Sequence, residues 1–262
     1  MGSLFDFLSF CASRIVNFPS KFRFRMNLIR HWSTVGWFID RATWEFGLPE
    51  RRLKPVPLET IFPGIENFSG SIHAARLWDR QRGTSIEVEE LCVLQSLVKF
   101  LQCKKILEVG TYDGNTALNF ALNLPEDGKV VTLDLPAAQE KPKLALSVRR
   151  SNANPSQVIG RQLKNSPAAS KVELVREDTA LLDWQRLPGP FDLIFIDGCH
   201  DDPYVKNDTQ KAKTVLKKGG VLVWHDYNLD GVGKFVDEFS EKYPCHWIRG
   251  TRLVICRSAS ER

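Results

Sequence analysis

ILEVGTYDGNTAL, residues 106–118, changes its periodicity halfway along. Ile106 to Val109 is apolar but for Glu108, as a strand buried on both faces requires, whereas TALNFALNL (116–124) spaces its apolar residues as one face of a helix. Between them Gly110 and Gly114 bracket a turn. A strand that runs through a glycine turn into a helix is the opening unit of an α/β sheet, and at such a turn backbone amides can approach a ligand closely.

The alternation continues in both directions. Upstream, IEVEELCVLQSLVKFLQ (86–102) has helical apolar spacing. Downstream, VVTLDL (130–135), VELVRE (172–177), FDLIFID (191–197) and GVLVWHD (220–226) read as further strands, with a helix expected in TQKAKTVLKK (209–218). CHWIRGTRLVICR (245–257) reads as two short strands turning at Arg249-Gly250. The expectation is a doubly wound α/β fold: a mostly parallel seven-stranded sheet, Rossmann-like, that ends in an antiparallel C-terminal hairpin. The long connection from Leu135 to Lys171 is expected to be partly helical and to have a functional role.

The chain has 262 residues, 43% of them hydrophobic, enough for a sizeable core. Its net charge of +5 is not evenly spread: the first 54 residues hold nine Lys and Arg against four Asp and Glu, and the remainder is balanced. This divides the chain into a basic, aromatic extension, residues 1–60, and a domain, residues 61–262. Within the extension, Leu4, Leu8, Ala12 and Ile15 have near-helical spacing, and KFRFRMNLIRHW (21–32) mixes cations with apolar residues. Such a strip is suited to docking on the domain or on a second subunit, or to peripheral contact with an anionic membrane through residues 1–40. Nucleic acid is not the expected partner. A secretory leader is not expected, since Asp6 interrupts the short apolar run and no small-residue cleavage site follows. Asp6 also argues against N-acylation. No 18-residue apolar stretch is present to span a bilayer. The six cysteines show no metal spacing and no disulfide pattern, which favours a reducing, cytoplasmic setting.

Several polar residues stand where a plain core has no use for them. Glu108 lies within the first strand, and the glycine spacing Gly110, Gly114 departs from the G-x-G-x-x-G that seats a dinucleotide pyrophosphate. Asp134 ends the second strand, about 20 residues after Gly114, where a carboxylate can accept hydrogen bonds from both ribose hydroxyls. An adenosine-containing ligand without a pyrophosphate fits this pattern. Asp197 and His200 follow the fourth strand, and His225 and Asp226 end the fifth.

With these residues the chain resembles the class I S-adenosylmethionine-dependent methyltransferases over roughly residues 85–257. The resemblance is strongest to the metal-dependent catechol and caffeoyl-CoA O-methyltransferases, whose E-x-G-x-Y-x-G loop is matched by LEVGTYDG, Tyr112 included. IDGCH, HDY and the insert containing IGRQLKNSP also resemble a related group acting on sugars and natural products. The resemblance implies S-adenosyl-L-methionine as cofactor, with Glu108, Gly110, Tyr112 and Gly114 shaping the methionine end. It places Asp134 and Leu135 at the ribose, Asp178 and Thr179 beside the adenine, and Asp197 at the edge of the same pocket. It further implies an Mg²⁺ or Mn²⁺ site at Asp197, His225 and Asp226. His200 stands where the catechol enzymes carry a catalytic lysine, so His200 and Asp197 are the catalytic candidates, with His200 the base and an acceptor hydroxyl of a small molecule or sugar as substrate.

Other readings of the same residues stay open. Asp197-Gly198 is also a turn-forming pair, His225 could be a cap, His200 a loop residue, and Asp201 and Asp202 suit a helix N-terminus. A metal-independent methyltransferase with a histidine base would use the same strand tips. A nicotinamide-dependent oxidoreductase is disfavoured by the glycine spacing and the terminal hairpin. A non-catalytic relative anchored by its N-terminus would be expected to lack Gly110 or Asp134, and both are present.

Overall fold

Every strand expected from the sequence forms, together with one too short to carry a period. The computed structural model describes residues 51–75, 86–136, 143–144, 158–164 and 166–257, all within the unit Leu48–Arg262. The basic strip of residues 1–40, with the membrane and subunit contacts expected of it, lies outside the described residues. The strands are β1 (Pro55–Val56), β2 (Lys105–Val109), β3 (Lys129–Asp134), β4 (Val172–Arg176), β5 (Phe191–Ile196), β6 (Leu216–Trp224), β7 (Cys245–Ile248) and β8 (Val254–Arg257). They form one sheet in the order β1-β7-β8-β6-β5-β2-β3-β4. From β4 to β6 every pairing is parallel, and β8 runs antiparallel to both β6 and β7. The sheet therefore has eight strands where the sequence reading counts seven. The additional strand pairs in parallel with β7 at the edge, so residues 55 and 56, grouped by charge with the extension, belong to the sheet.

Among the described residues, five helices accompany the sheet: α1 (Leu58–Ile61), α2 (Val88–Phe100), α3 (Asn115–Asn123), α4 (Asp202–Val215) and α5 (Asp230–Phe239). Both faces of the sheet are covered, which explains the unbroken apolar strands. Ile106, Leu193, Phe195 and Val223 point into one buried cluster with Leu94 and Phe120. Their neighbours Leu107, Ile194, Ile196 and Trp224 point into a second cluster with Val205, Ala212 and Val236. Truncating a ring such as Phe120 to alanine in cores of this kind costs about 3–5 kcal/mol. Helix α5 is absent from the sequence reading. Gly231 and Gly233 dilute its helical signal, and burial of Val232, Phe235 and Val236 outweighs their poor propensity.

The order of the strands positions the site. The chain turns from β2 outward to β3 and β4, then crosses back to β5 and β6, so the carboxyl ends of β2 and β5 flank the topological switch point where open α/β sheets bind ligands. The ladder runs past the strand ends: Asp197 N donates to Val109 O at 2.8 Å and His225 N to Ile196 O at 3.1 Å. Three polar tips are thereby held side by side.

Candidate active site

The glycine loop is built by close approach. Gly110 has φ +100°, and a Cβ there would lie 2.1 Å from the carbonyl oxygen of Asp197, so only glycine lets the end of β2 pass the end of β5. Gly114 has φ +85° and caps α3; its Cβ would meet Leu163 at 2.9 Å. Tyr112 between them is also left-handed, at φ +46°, and so is Asp226, at φ +54°. Positive φ in residues with a side chain costs energy and collects at functional sites. Beneath the loop, Glu108 is hydrogen-bonded to Thr132, whose Oγ1 lies 2.7 Å from Thr111 Oγ1. Burial drives the Glu108 carboxyl well above its ordinary pKa, and its hydrogen bond to Thr132 lets it support the loop from inside.

Asp134 is oriented by the loop it faces. Its Oδ2 accepts from Tyr112 N and its Oδ1 from Leu135 N, both at 2.8 Å, which leaves a further lone pair on each oxygen for a ligand. On the outer side, the described part of the long connection straps the loop. Gly160 N donates to Tyr112 O and Gln162 N to Asp113 O at 2.8 Å each, and Gln162 Nε2 donates to Asp113 Oδ2 at 3.1 Å. This connection forms short 3-10 turns at Arg161–Leu163 and Pro167–Lys171, in keeping with the expectation of partial helix.

Asp178 and Thr179 sit beyond β4. The Asp178 carboxylate is held by three structural donors: Ala180 N on Oδ1, and Lys143 N and Tyr204 OH on Oδ2, each at 2.8 Å. Lys211 on α4 secures the same loop, its Nζ donating to the carbonyls of Thr179, Ala180 and Leu182 at 2.7, 2.9 and 2.9 Å. Asp201 and Asp202 begin α4, as the helix-start reading expects.

Asp197, His225 and Asp226 converge: one ligand atom from each lies within 4.8 Å of the others. His225 Nδ1 is 2.9 Å from Asp197 Oδ1 and 3.5 Å from Asp226 Oδ1. The imidazole's other nitrogen, Nε2, lies 2.9 Å from Glu90 Oε2, a residue of α2 absent from the sequence reading. Glu90 is in turn clasped by Arg252, whose Nη1 also reaches Asp226 Oδ1 at 3.0 Å. Burial alone would raise the Glu90 carboxyl, but His225 and Arg252 bring it down to about 2. Glu90 had one legible signal. It falls on the apolar stripe of α2, four residues from buried Ile86 and from buried Leu94, where an unpaired carboxylate would be costly. Arg252 carried none.

His200 lies at the mouth of this cluster, its Nε2 3.0 Å from Asp226 Oδ2 and 3.9 Å from Asp197 Oδ1. Burial pulls His200 down, but the two carboxylates more than compensate and lift it to about 9. Against burial, His225 and His200 hold Asp226 below the usual carboxylate range, and His225 itself is raised well above an ordinary histidine by Asp197 and Asp226.

The donor set was tested against a divalent ion. Two carboxylates and one imidazole suit Mg²⁺ or Mn²⁺. A ligating histidine usually donates its second ring N–H to a carboxylate, as the Glu90–His225 pair allows. The residues fit such an ion.

Known proteins agree with this architecture. Residues 107–227 match a family model described as a methyltransferase domain. Similar curated sequences include caffeoyl-CoA O-methyltransferase of Zinnia elegans, 29% identical over 129 residues that cover 49% of this chain and 47% of that protein. Catechol O-methyltransferase of Niastella koreensis is 30% identical over 147 residues, covering 56% and 59%. The chain thus spans about half the length of the curated relatives it matches. Among solved structures, the O-methyltransferase TomG of Streptomyces achromogenes, in complex with SAM, superposes with a TM-score of 0.52 at 16% identity, covering 90% of this chain and 100% of that one. An O-methyltransferase of Bacillus cereus in complex with SAH gives 0.50 at 19% identity, covering 84% and 96%. At these identities the superpositions speak for the fold. Among the described residues, no helix is long and apolar enough to cross a membrane.

Proposed function

We propose, from the match of residues 107–227 to a family model described as a methyltransferase domain, that this chain transfers the methyl group of S-adenosylmethionine to a hydroxyl of a small molecule or sugar. The observation that carries the reading is the contact of Gly110 with Asp197: the cofactor loop and the polar acceptor cluster share one wall, so a sulfonium methyl and an acceptor oxygen can meet there.

In this reading the glycine loop receives the methionine end of the cofactor, supported from below by Glu108. Asp134, already aimed by Tyr112 N and Leu135 N, accepts both ribose hydroxyls. Asp178, held in place by its three donors, and Thr179 beside it form the adenine side. Asp197, His225 and Asp226 would hold a divalent ion, which when bound supplies a lowered acceptor pKa and fixes the acceptor's approach. His200, at the mouth, is placed to take the acceptor proton. It is able to do so only when Asp197 and Asp226 direct their charge elsewhere, since against those carboxylates alone it keeps its own proton.

One observation favours a second reading, metal-independent transfer with a histidine base. Glu90, Asp197 and Asp226 are already matched in number by Arg252, His200 and His225, so the cluster is charge-balanced by protein groups. Calorimetric titration with S-adenosylmethionine, then methyl transfer to hydroxylated acceptors with Mn²⁺ and after chelation, tests both. Failure to bind the cofactor would sink the proposal, and full activity in chelator would select the second reading.

A further inference from the structure

We infer that Glu90, clamped by Arg252, is the positioning residue that turns the His225 imidazole toward the acceptor cluster; the inference rests on the metal-assisted reading above. Glu90 is 1% exposed and sits three residues into α2, far along the chain from His225 and Arg252, which it touches. Its two oxygens accept five hydrogen bonds. Oε2 takes Glu87 N at 3.1 Å, Arg252 Nη2 at 2.9 Å and His225 Nε2 at 2.9 Å. Oε1 takes Arg252 N at 2.7 Å and Arg252 Nε at 3.1 Å. The helix cap fixes the carboxylate from one side and the guanidinium from the other, so its direction is set before His225 meets it.

The consequence for His225 is a defined tautomer. An ionised carboxylate only accepts, so Nε2 must carry the proton it donates to Glu90. Nδ1 likewise faces a carboxylate, Asp197 Oδ1 at 2.9 Å, so both ring nitrogens donate here; a divalent cation would take the place of the Nδ1 proton alone, leaving the Nε2 proton on Glu90 and the Nδ1 lone pair directed at the space between Asp197 Oδ1 and Asp226 Oδ1. Without Glu90 the ring could equally place its proton on Nδ1 and donate to Asp197, which would remove it from the donor set. Arg252 acts at both ends of the relay, since Nη1 also holds Asp226 Oδ1. One arginine thus aligns a ligand directly and, through Glu90, a second one indirectly.

A merely structural ion pair would serve folding and leave the ring's tautomer and cation affinity alone. The test is Mn²⁺ binding, followed by electron paramagnetic resonance of the free ion, in the full chain and in Glu90→Gln, with circular dichroism reporting on the fold. A folded Glu90→Gln protein should bind Mn²⁺ about 10- to 100-fold more weakly. Unchanged affinity overturns the inference and leaves the proposed metal site standing. A full chain that binds no Mn²⁺ overturns the metal site and this inference together. Should the variant fail to fold, ¹⁵N spectra of His225 in the unaltered, Mg²⁺-saturated protein decide the matter. A proton on Nε2 and none on Nδ1 supports the assignment, and the reverse tautomer overturns it.

Discussion

Gly110 and Asp197 touch through their backbones: a Cβ on Gly110 would stand 2.1 Å from the Asp197 carbonyl oxygen, well inside any allowed contact. Gly110→Ala therefore has to push β2 and β5 apart at their tips and also strain a left-handed φ. Cofactor binding should be lost and thermal stability reduced by several degrees, as titration with S-adenosylmethionine and a melting curve would report. Wild-type affinity in this variant would mean that the loop does not form the cofactor site.

Asp134→Ala removes a half-buried acceptor aimed by Tyr112 N and Leu135 N. Cofactor affinity should fall by roughly 1–3 kcal/mol, the usual cost of stranding hydrogen-bond partners. The same binding experiment with S-adenosylhomocysteine should show an equal loss, because the ribose is common to both. A loss confined to one of them would place Asp134 elsewhere in the pocket.

His200→Ala should lower turnover about 10²- to 10⁴-fold while leaving the cofactor dissociation constant nearly unchanged, as expected for a proton acceptor outside the sulfonium site. Single-turnover rates and equilibrium binding, measured on the same preparation, separate these two quantities. Normal turnover would remove His200 from the mechanism.

Asp208 is a buried carboxyl on α4, and burial raises it to about 6, against hydrogen bonds from Thr179 and Asn207 that favour the ion. Between its ordinary pKa and that value the folded chain binds more protons than the unfolded one, so stability falls as pH rises through this window and stays lower above it. Asp208→Asn should abolish that dependence and stabilise the protein by about 1–3 kcal/mol at pH 8 relative to pH 4. Denaturant midpoints at the two pH values check it, and parallel curves for parent and variant would disprove it.

Much of this fold is legible because its central strands are buried twice. Ile106 to Val109 and Leu193 to Ile196 alternate between two cores, so a continuous apolar run is the only pattern they can have. Gly110, Asp134, Asp197 and Asp226 are legible for a related reason: each closes such a run, and the topology brings the ends of runs together. What escaped reading depends on distance along the chain. Glu90 meets His225 and Arg252 across 135 and 162 residues, and neither end of those pairs constrains its neighbours in sequence. Helix α5 escaped for the opposite reason, since its local glycines argue against a helix that only tertiary burial of Phe235 and Val236 sustains.

The three hydrogen bonds of Lys211 have a mechanical corollary. An ammonium has three protons to donate, and here all three go to the carbonyls of one loop, Thr179, Ala180 and Leu182. That loop and α4 are consequently riveted into one opening unit: amide protons in both should exchange with a common free energy, higher than that of the connection strapped over the glycine loop. On the adenine side of the proposed pocket, the wall therefore moves only as one piece with α4.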